Sequence, residues 1–536
     1  MMHVIRLLLI AILSSALIPF AATAQRYDVL LRGGTIIDGT GRPPYRADVA
    51  VRDGKVLAVG RIPREAKAAT TLDVTGLMVT PGFVNIHSHA ESNALPTAYN
   101  MLSMGVTTEI VNADGAGPLD LTAQLTTYET GTLAVNIGGM IGFNSAWAAV
   151  VGQKDRRPTA DEISRMRDLL SRGLTDGAWG VSAGLDYKPA YFATVDEVVR
   201  VVDVARPWYT IFSNHDRLRP ETGFSSKLGI AETLEIGDRA GLIPVVTHMK
   251  VQGREQGTAT AVLGTMTAAT KAGHYAAADA YPYLAGQTAL AALLVPAWAQ
   301  DGGLEAFRAR LADPAQRARI VAEIDTALAA RFGGPSGVYL PESQQQLEAV
   351  QKEQRAPSGG ETVARILASG MPSAILRFGA EPDLVKILQH PSTSIACDCG
   401  ASLNTRAHPR YFGTFPRVLG RYVREQHAMS WAEAIHKMTA LPAATIGMTD
   451  RGVLRAGMWA DIAVFDSATV MDHATYEQPT LPSDGIVHVL VNGQIAWRDG
   501  KPTDVKAGRA LRRPAKARSG PPAGATATLA LRRRRR

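Results

Sequence analysis

Cysteine is nearly absent from this chain: only Cys397 and Cys399 occur, with Asp398 between them. A bridge across one intervening residue strains disulfide geometry, so no disulfide framework is expected and both thiols read as compact buried packing. Long apolar runs are also missing after residue 24, which excludes an integral membrane segment from the mature protein. An excess of positive charge over the body of the chain is a third absence. The formal net charge is +8, yet from Lys501 onward twelve Lys or Arg face one acid, Asp504. The remainder is mildly acidic, so no nucleic-acid partner is expected. The stretch from about Arg509, with its Pro, Ala and Gly, reads as a basic disordered tail.

The first 24 residues have their own character. Arg6 precedes the apolar stretch Leu7 to Leu17, and Ala22-Thr23-Ala24 offers small residues for cleavage before Gln25. This is a secretory signal pattern, so an exported protein, periplasmic or secreted, is expected.

Two textures organise the rest. YDVLLRGGTIIDG and ADVAVRDGKVLAVG near the start, and ADIAVFD and GIVHVLVNGQIAWRDG near the end, alternate apolar and polar residues around Asp-Gly, Gly-Gly and Asn-Gly pairs. Both ends therefore read as antiparallel hairpins that meet in one small β-sandwich, over 25–80 and 449–500. Between them, over 81–448, short apolar strands alternate with helical stretches such as TADEISRMRDLLSRGL, TVDEVVRVVDVARP and SWAEAIHKMTALPA. That rhythm predicts an α/β fold with a parallel barrel. A charged, then Gly- and Gln-rich region over about 300–360 interrupts it and reads as an insertion over the site.

Five apolar runs end on a metal-capable or acid/base side chain: PGFVNIHSH at His87 and His89, TTEIVNAD at Asp114, YTIFSNH at His215, IPVVTH at His248 and SIACD at Asp398. Strand ends of a parallel barrel aim side chains at one point, and a period of two puts His87 and His89 on one face. Four imidazoles with two carboxylates suit one or two divalent ions. A catalytic metal keeps a position open for water and lowers its pKa.

At these residues the chain resembles the amidohydrolase superfamily, and within it the D-aminoacylase, or N-acyl-D-amino-acid deacylase, family. The resemblance runs over about 26–500, through YDVLLRGGTIIDGTG, PGFVNIHSHA, GVTTEIVNADG, GAWGVSAGLDYKP, PVVTHMK, DAYPYLAGQT, HPRYFGTFPRVLGRYVRE and RGVLRAGMWADIAVFD. It implies a (β/α)8 TIM-like barrel with a β-sandwich, zinc, and hydrolysis of the amide of an N-acyl-D-amino acid or related acylated amino acid or dipeptide. Position by position it implies metal ligation by His87, His89, His215 and His248, and a general acid and base at Asp398, also a ligand. Asp114 stands where the family places a bridging cysteine. A carboxylate is the harder ligand, so Mn²⁺ or another divalent ion joins zinc as an expectation. Phe143-Asn144, Asp216 and Met249 also depart from the family pattern. WGVSAGLDY holds no lysine, and Lys188 lies just beyond it, which disfavours the carboxylated-lysine enzymes that open cyclic amides.

An N-acyl amino acid always carries a carboxylate, which Arg binds in two-pronged fashion. Arg217 and Lys250 follow ligand histidines closely, and Arg406, His408 and Arg410 follow Asp398, so these are the candidate substrate contacts, with Tyr187 and Tyr283 as hydrogen-bond donors. Asp279 reads as structural. Two alternatives remain: another amidohydrolase acting on a cyclic amide, ester or lactone, and a non-catalytic periplasmic ligand-binding barrel.

Overall fold

The structure, a computed structural model, describes residues 27–522. The leader expected over 1–24 lies outside them. No helix among the described residues is long and apolar enough to cross a membrane.

Parallel strands form the centre: β1 (Phe83–Asn85), β2 (Val106–Val111), β3 (Asn136–Gly139, resumed after Met140 as Ile141–Gly142), β4 (Val181–Gly184), β5 (Ile211–His215), β6 (Ile243–Val246), β7 (Ala277–Ala280) and β8 (Thr393–Ile395). Each pairs with the next in parallel register. The ring closes where Ser88 bridges Cys399 and His89 N–H donates to the Cys399 carbonyl at 2.9 Å. Apolar residues occur on both faces of these strands because both are covered. Val84, Ile110, Ile211, Val245, Ala277 and Ala396 fill the interior, while Phe212, Val246 and Ala278 face the helical layer.

The helices begin where their caps dictate. Thr159, Thr194 and Ser430 cap Ala160–Thr175, Val195–Val202 and Trp431–Met438, each with a glutamate three residues on that closes the reciprocal bond. In the first of these Ile163, Met166, Leu170 and Leu174 recur every three or four residues and are buried.

The two ends of the chain share one sheet. Met78–Pro81 pairs with both Tyr27–Ile36 and Ile462–Phe465, which joins the N-terminal strands to the hairpin of Ile486–Val491 and Gln494–Arg498. Val29, Leu31, Val49, Val51, Ile462, Val464 and Leu490 form its own core. A buried polar knot fastens it to the barrel: Asp461 accepts from Asn136 Nδ2 at 3.1 Å and from Asn492 N–H at 2.7 Å, and pairs with Arg451.

Three expectations need correction. Cys397 and Cys399 are joined as a disulfide across Asp398, with Cα atoms 4.9 Å apart, close enough for a bridge. Reduction of the intact protein should add the mass of two hydrogens. The segment after Arg509 is not loose up to residue 522: it runs under the barrel, where Leu511 N–H donates to Ile137 O at 2.7 Å, Arg513 N–H to Gly177 O at 2.9 Å and Ser519 N–H to Tyr209 O at 2.9 Å. Backbone bonding to strand starts, with Arg513 buried, replaces the apolar surface that the composition lacks. The excursion over the site is also longer than 300–360. Ala285–Ala289 pairs antiparallel with Ser373–Arg377, so a separate subdomain with its own core spans the gap between β7 and β8.

Candidate metal centre

All the strand-end groups meet at the C-terminal mouth of the barrel. One cluster of ligand atoms joins His87, His89, Asp114 and Asp398, and a second joins Asp114, His215 and His248; within each, the atoms lie within 4.8 Å of one another. Asp114 is common to both. Asp398 Oδ1 lies 3.3 Å from His87 Nε2 and 3.2 Å from His89 Nε2, while Asp114 Oδ2 lies 3.8 Å from both His215 Nδ1 and His248 Nε2. Ligand atoms about 2.1 Å from a common tetrahedral ion are separated by about 3.4 Å, so these spacings fit divalent ions. A second observation agrees. His87 Nδ1 and Nε2, His215 Nδ1 and Asp114 Oδ1 are buried without a hydrogen-bond partner, a cost that ligation would remove.

The electrostatics favour a cation. Burial alone would lower the His87 pKa, but Asp279, Asp114 and Asp398 raise it well above the ordinary value. Burial would likewise raise Asp114, yet His87 and the nearby His215 and His248 hold it well below the carboxylate range. His248 is pushed down to about 3, by burial first and then by the Lys250 and His215 charges, so its imidazole is neutral and able to ligate. Asp279 contributes from behind the cage: its Oδ1 lies 3.4 Å from His87 Nδ1 and accepts the His248 N–H at 2.7 Å. It thus orients two candidate ligands, as outer partners of metal-binding histidines do, which the structural reading of Asp279 did not include. Glu109, pushed up to about 7 by burial, accepts from Ser88 Oγ at 2.8 Å and from Ala401 N–H at 3.3 Å, tying the His-Ser-His loop to the loop after Asp398.

Backbone conformation is part of the assembly. Asp114, His248 and Asp398 all have positive φ, at 54°, 33° and 46°, a state that costs on the order of 1–3 kcal/mol per residue and needs support from its surroundings. Gly184, at the end of β4, supplies some of it by proximity. A Cβ there would sit 2.6 Å from the Asp114 carbonyl and 2.6 Å from the Tyr187 ring. Gly184→Ala is therefore expected to keep the fold but displace Asp114 and lower turnover by about 10²-fold, the usual effect of a shift near 1 Å in a reacting array. Activity and circular dichroism on the same sample check this; normal activity would mean that Asp114 tolerates the shift.

The cage opens into a cavity of about 720 Å³ roofed by the insertion. Tyr187, Lys250 and Arg410 line it. Arg410 Nη1 lies 2.6 Å from Asp398 Oδ2, and Lys250 Nζ lies 2.7 Å from His248 Nδ1. Four other candidates do not reach it. Arg217 is buried on Glu232 at 2.6 Å and on the carbonyls of Tyr191 and Ala193. Tyr283 turns toward Asp472 and Pro409, Arg406 is exposed outside the cavity, and His408 is buried behind it against Tyr283 and Tyr476. Closeness in sequence to a ligand does not determine which way a loop side chain turns. Sequence reading missed Tyr281, Asn144, Gln287 and Thr288 in the wall. Tyr281 had a signal, since it directly follows β7 at the same end of the barrel.

The matches to known proteins follow this geometry. The amidohydrolase family model matches residues 397–496. A D-aminoacylase of Alcaligenes xylosoxydans xylosoxydans is 34% identical over 522 residues, covering 92% of this chain and 99% of the relative. The chain belongs to the D-aminoacylase family of amidohydrolases. An N-acyl-D-glutamate deacylase of the same organism is 32% identical, covering 92% of this chain and 98% of the relative. Among solved structures, the N-acyl-D-glutamate deacylase of Bordetella bronchiseptica, complexed with zinc and a phosphonate mimic of the tetrahedral intermediate, is similar with a TM-score of 0.77. It is 30% identical, over 91% of this chain and 100% of the other. Where the family resemblance implied a bridging cysteine, this chain presents the Asp114 carboxylate.

Proposed function

We propose that this amidohydrolase is a metal-dependent deacylase that splits N-acyl-D-amino acids into a carboxylate and a free D-amino acid. The observation that supports it most is the sharing of one cavity by the Asp114-centred cage and the cations Lys250 and Arg410. Zinc, or another divalent ion admitted by Asp114, would be held by His87, His89, Asp114, Asp398, His215 and His248 and supply Lewis acidity toward the acyl carbonyl and toward water. The chain's own groups do the rest. Arg410, Lys250 and the Tyr281 hydroxyl are placed to receive the substrate carboxylate, and Tyr187, whose ring centroid is 4.6 Å from that of His215, borders the acyl group. Asp398 takes a proton from the attacking water and returns it to the leaving nitrogen, which departs only when protonated.

A screen of N-acetyl-D- and N-acetyl-L-amino acids with metal-reconstituted protein, read as amine release, tests this. Release from D-substrates is expected; turnover of cyclic amides or esters alone would replace the proposal. Export is inferred from the pattern over 1–24, and mass spectrometry of protein from the native host should find Gln25 at or near its N-terminus. An intact Met1 on soluble protein would refute export.

A further inference from the structure

The cavity wall carries a third cation that the chemistry above does not use. Lys188 follows Tyr187 and lines the cavity where the barrel meets the helix Leu290–Leu294 of the insertion. Its Nζ donates to the carbonyls of Ala292, at 3.2 Å, and Asp186, at 3.4 Å, and lies 4.6 Å from the Tyr191 ring centroid. Among the described residues no carboxylate comes within 4.0 Å of it. The other wall cations differ. Arg410 is paired with Asp398, and Lys250 rests on His248. The acid nearest in sequence, Asp186, is committed to Arg331 at 3.0 Å, both side chains being buried. The buried Asp186–Arg331 pair is thus neutral as a unit and leaves the Lys188 ammonium uncompensated. The other acid of the wall outside the cage, Glu342, is exposed and accepts from Ser373 Oγ at 3.0 Å, so solvent screens it.

Burial pushes Lys188 down to about 8, which leaves it mostly protonated at neutral pH. A half-buried ammonium held only by carbonyl oxygens and an aromatic face gains most from an anionic ligand group.

We propose that Lys188 receives a second carboxylate of the substrate, making this enzyme selective for N-acylated D-amino acids that carry an additional acid. The inference rests on the deacylase reading and narrows it. The second carboxylate belongs either to the amino-acid side chain or to the acyl group, and the two sources are separable with chosen substrates.

The experiment measures kcat/KM of the metal-reconstituted full chain for N-acetyl-D-glutamate and N-acetyl-D-aspartate, for N-succinyl-D-alanine, and for the neutral N-acetyl-D-alanine and N-acetyl-D-leucine. At least one diacid should exceed the neutral substrates by about tenfold or more, the scale of one charge-assisted hydrogen bond. Lys188→Met should collapse that ratio and Lys188→Arg should retain much of it. Preference for the N-acetyl diacids assigns the carboxylate to the side chain, and preference for the succinyl compound assigns it to the acyl group. A wild-type preference for neutral substrates overturns the proposal while leaving the deacylase reading intact. So does an equal loss on all substrates in Lys188→Met, the mark of a purely structural lysine. Were Lys188→Met unable to fold, the wild-type ratio and Lys188→Arg would decide. Failure to hydrolyse any N-acyl-D-amino acid would remove the deacylase reading and this inference with it.

Discussion

Asp398→Asn is expected to bind substrate and turn it over about 10²–10⁴-fold more slowly, the range that one positioned acid or base contributes. The geometry explains why so small a change acts so strongly. The carboxylate is divided between two tasks: Oδ1 faces His87 and His89, and Oδ2 faces Arg410 at 2.6 Å. An amide has one acceptor, so it must either turn its NH₂ toward the guanidinium or present it to the cage, where it can neither ligate nor take a proton. Burial would raise the Asp398 pKa, but Arg410 and His87 hold it well below the usual carboxylate range, so the group is ionised. Arg410 and Lys250 are untouched, which is why KM should change far less than kcat. Metal content must be measured on the same sample. A variant with full metal content and near-normal kcat would move proton transfer to another group and leave Asp398 as a ligand only.

Asp114→Ala should have the other large effect, because Asp114 is the one residue common to both ligand clusters. Its loss leaves His87, His89 and Asp398 on one side and only two histidines on the other. The variant is expected to lose bound divalent ion and measurable activity, and also the thermal stabilisation that an ion binding only the folded state confers. That amounts to about 2.7 kcal/mol when free ion is a hundredfold above its Kd. Chelation of the wild type should reproduce both losses. Asp114→Cys is the informative partner. A thiolate is softer than a carboxylate, so reconstitution from mixed Zn²⁺ and Mn²⁺ should shift toward zinc, read by elemental analysis. Stoichiometric metal in Asp114→Ala, or an unchanged metal preference in Asp114→Cys, would show that the carboxylate is no ligand.

Much of this was legible because barrel strands are local objects. IPVVTH, YTIFSNH and SIACD each announce a short apolar strand and the reactive side chain at or just past its end, and a parallel barrel leaves such ends nowhere to go but its mouth. The helical stretches TADEISRMRDLLSRGL and TVDEVVRVVDVARP were equally readable, and the structure starts them at the cap pairs Thr159 with Glu162 and Thr194 with Glu197. Loop orientation was not readable. Arg217 and Lys250 both stand two residues after a candidate ligand histidine, yet one is spent on Glu232 and two carbonyls while the other enters the cavity. Nothing local distinguishes them, because the partners that settle the matter lie 15 or more residues away.

The sequence by itself determined the kinds of atoms at the site, four imidazoles and two carboxylates on five strands, since side-chain chemistry and strand period are properties of short segments. The tertiary structure alone decided that Asp114 is shared between two clusters, that Asp279 and Glu109 stand behind the ligands, that Lys188 has no acidic partner among the described residues, and that Cys397 and Cys399 close a ring around Asp398. It also laid the last described residues beneath the barrel, against the expectation from their composition. These are distances between residues far apart in the chain or conformations at a single loop. They depend on how strands close and loops turn, which no short stretch of sequence encodes.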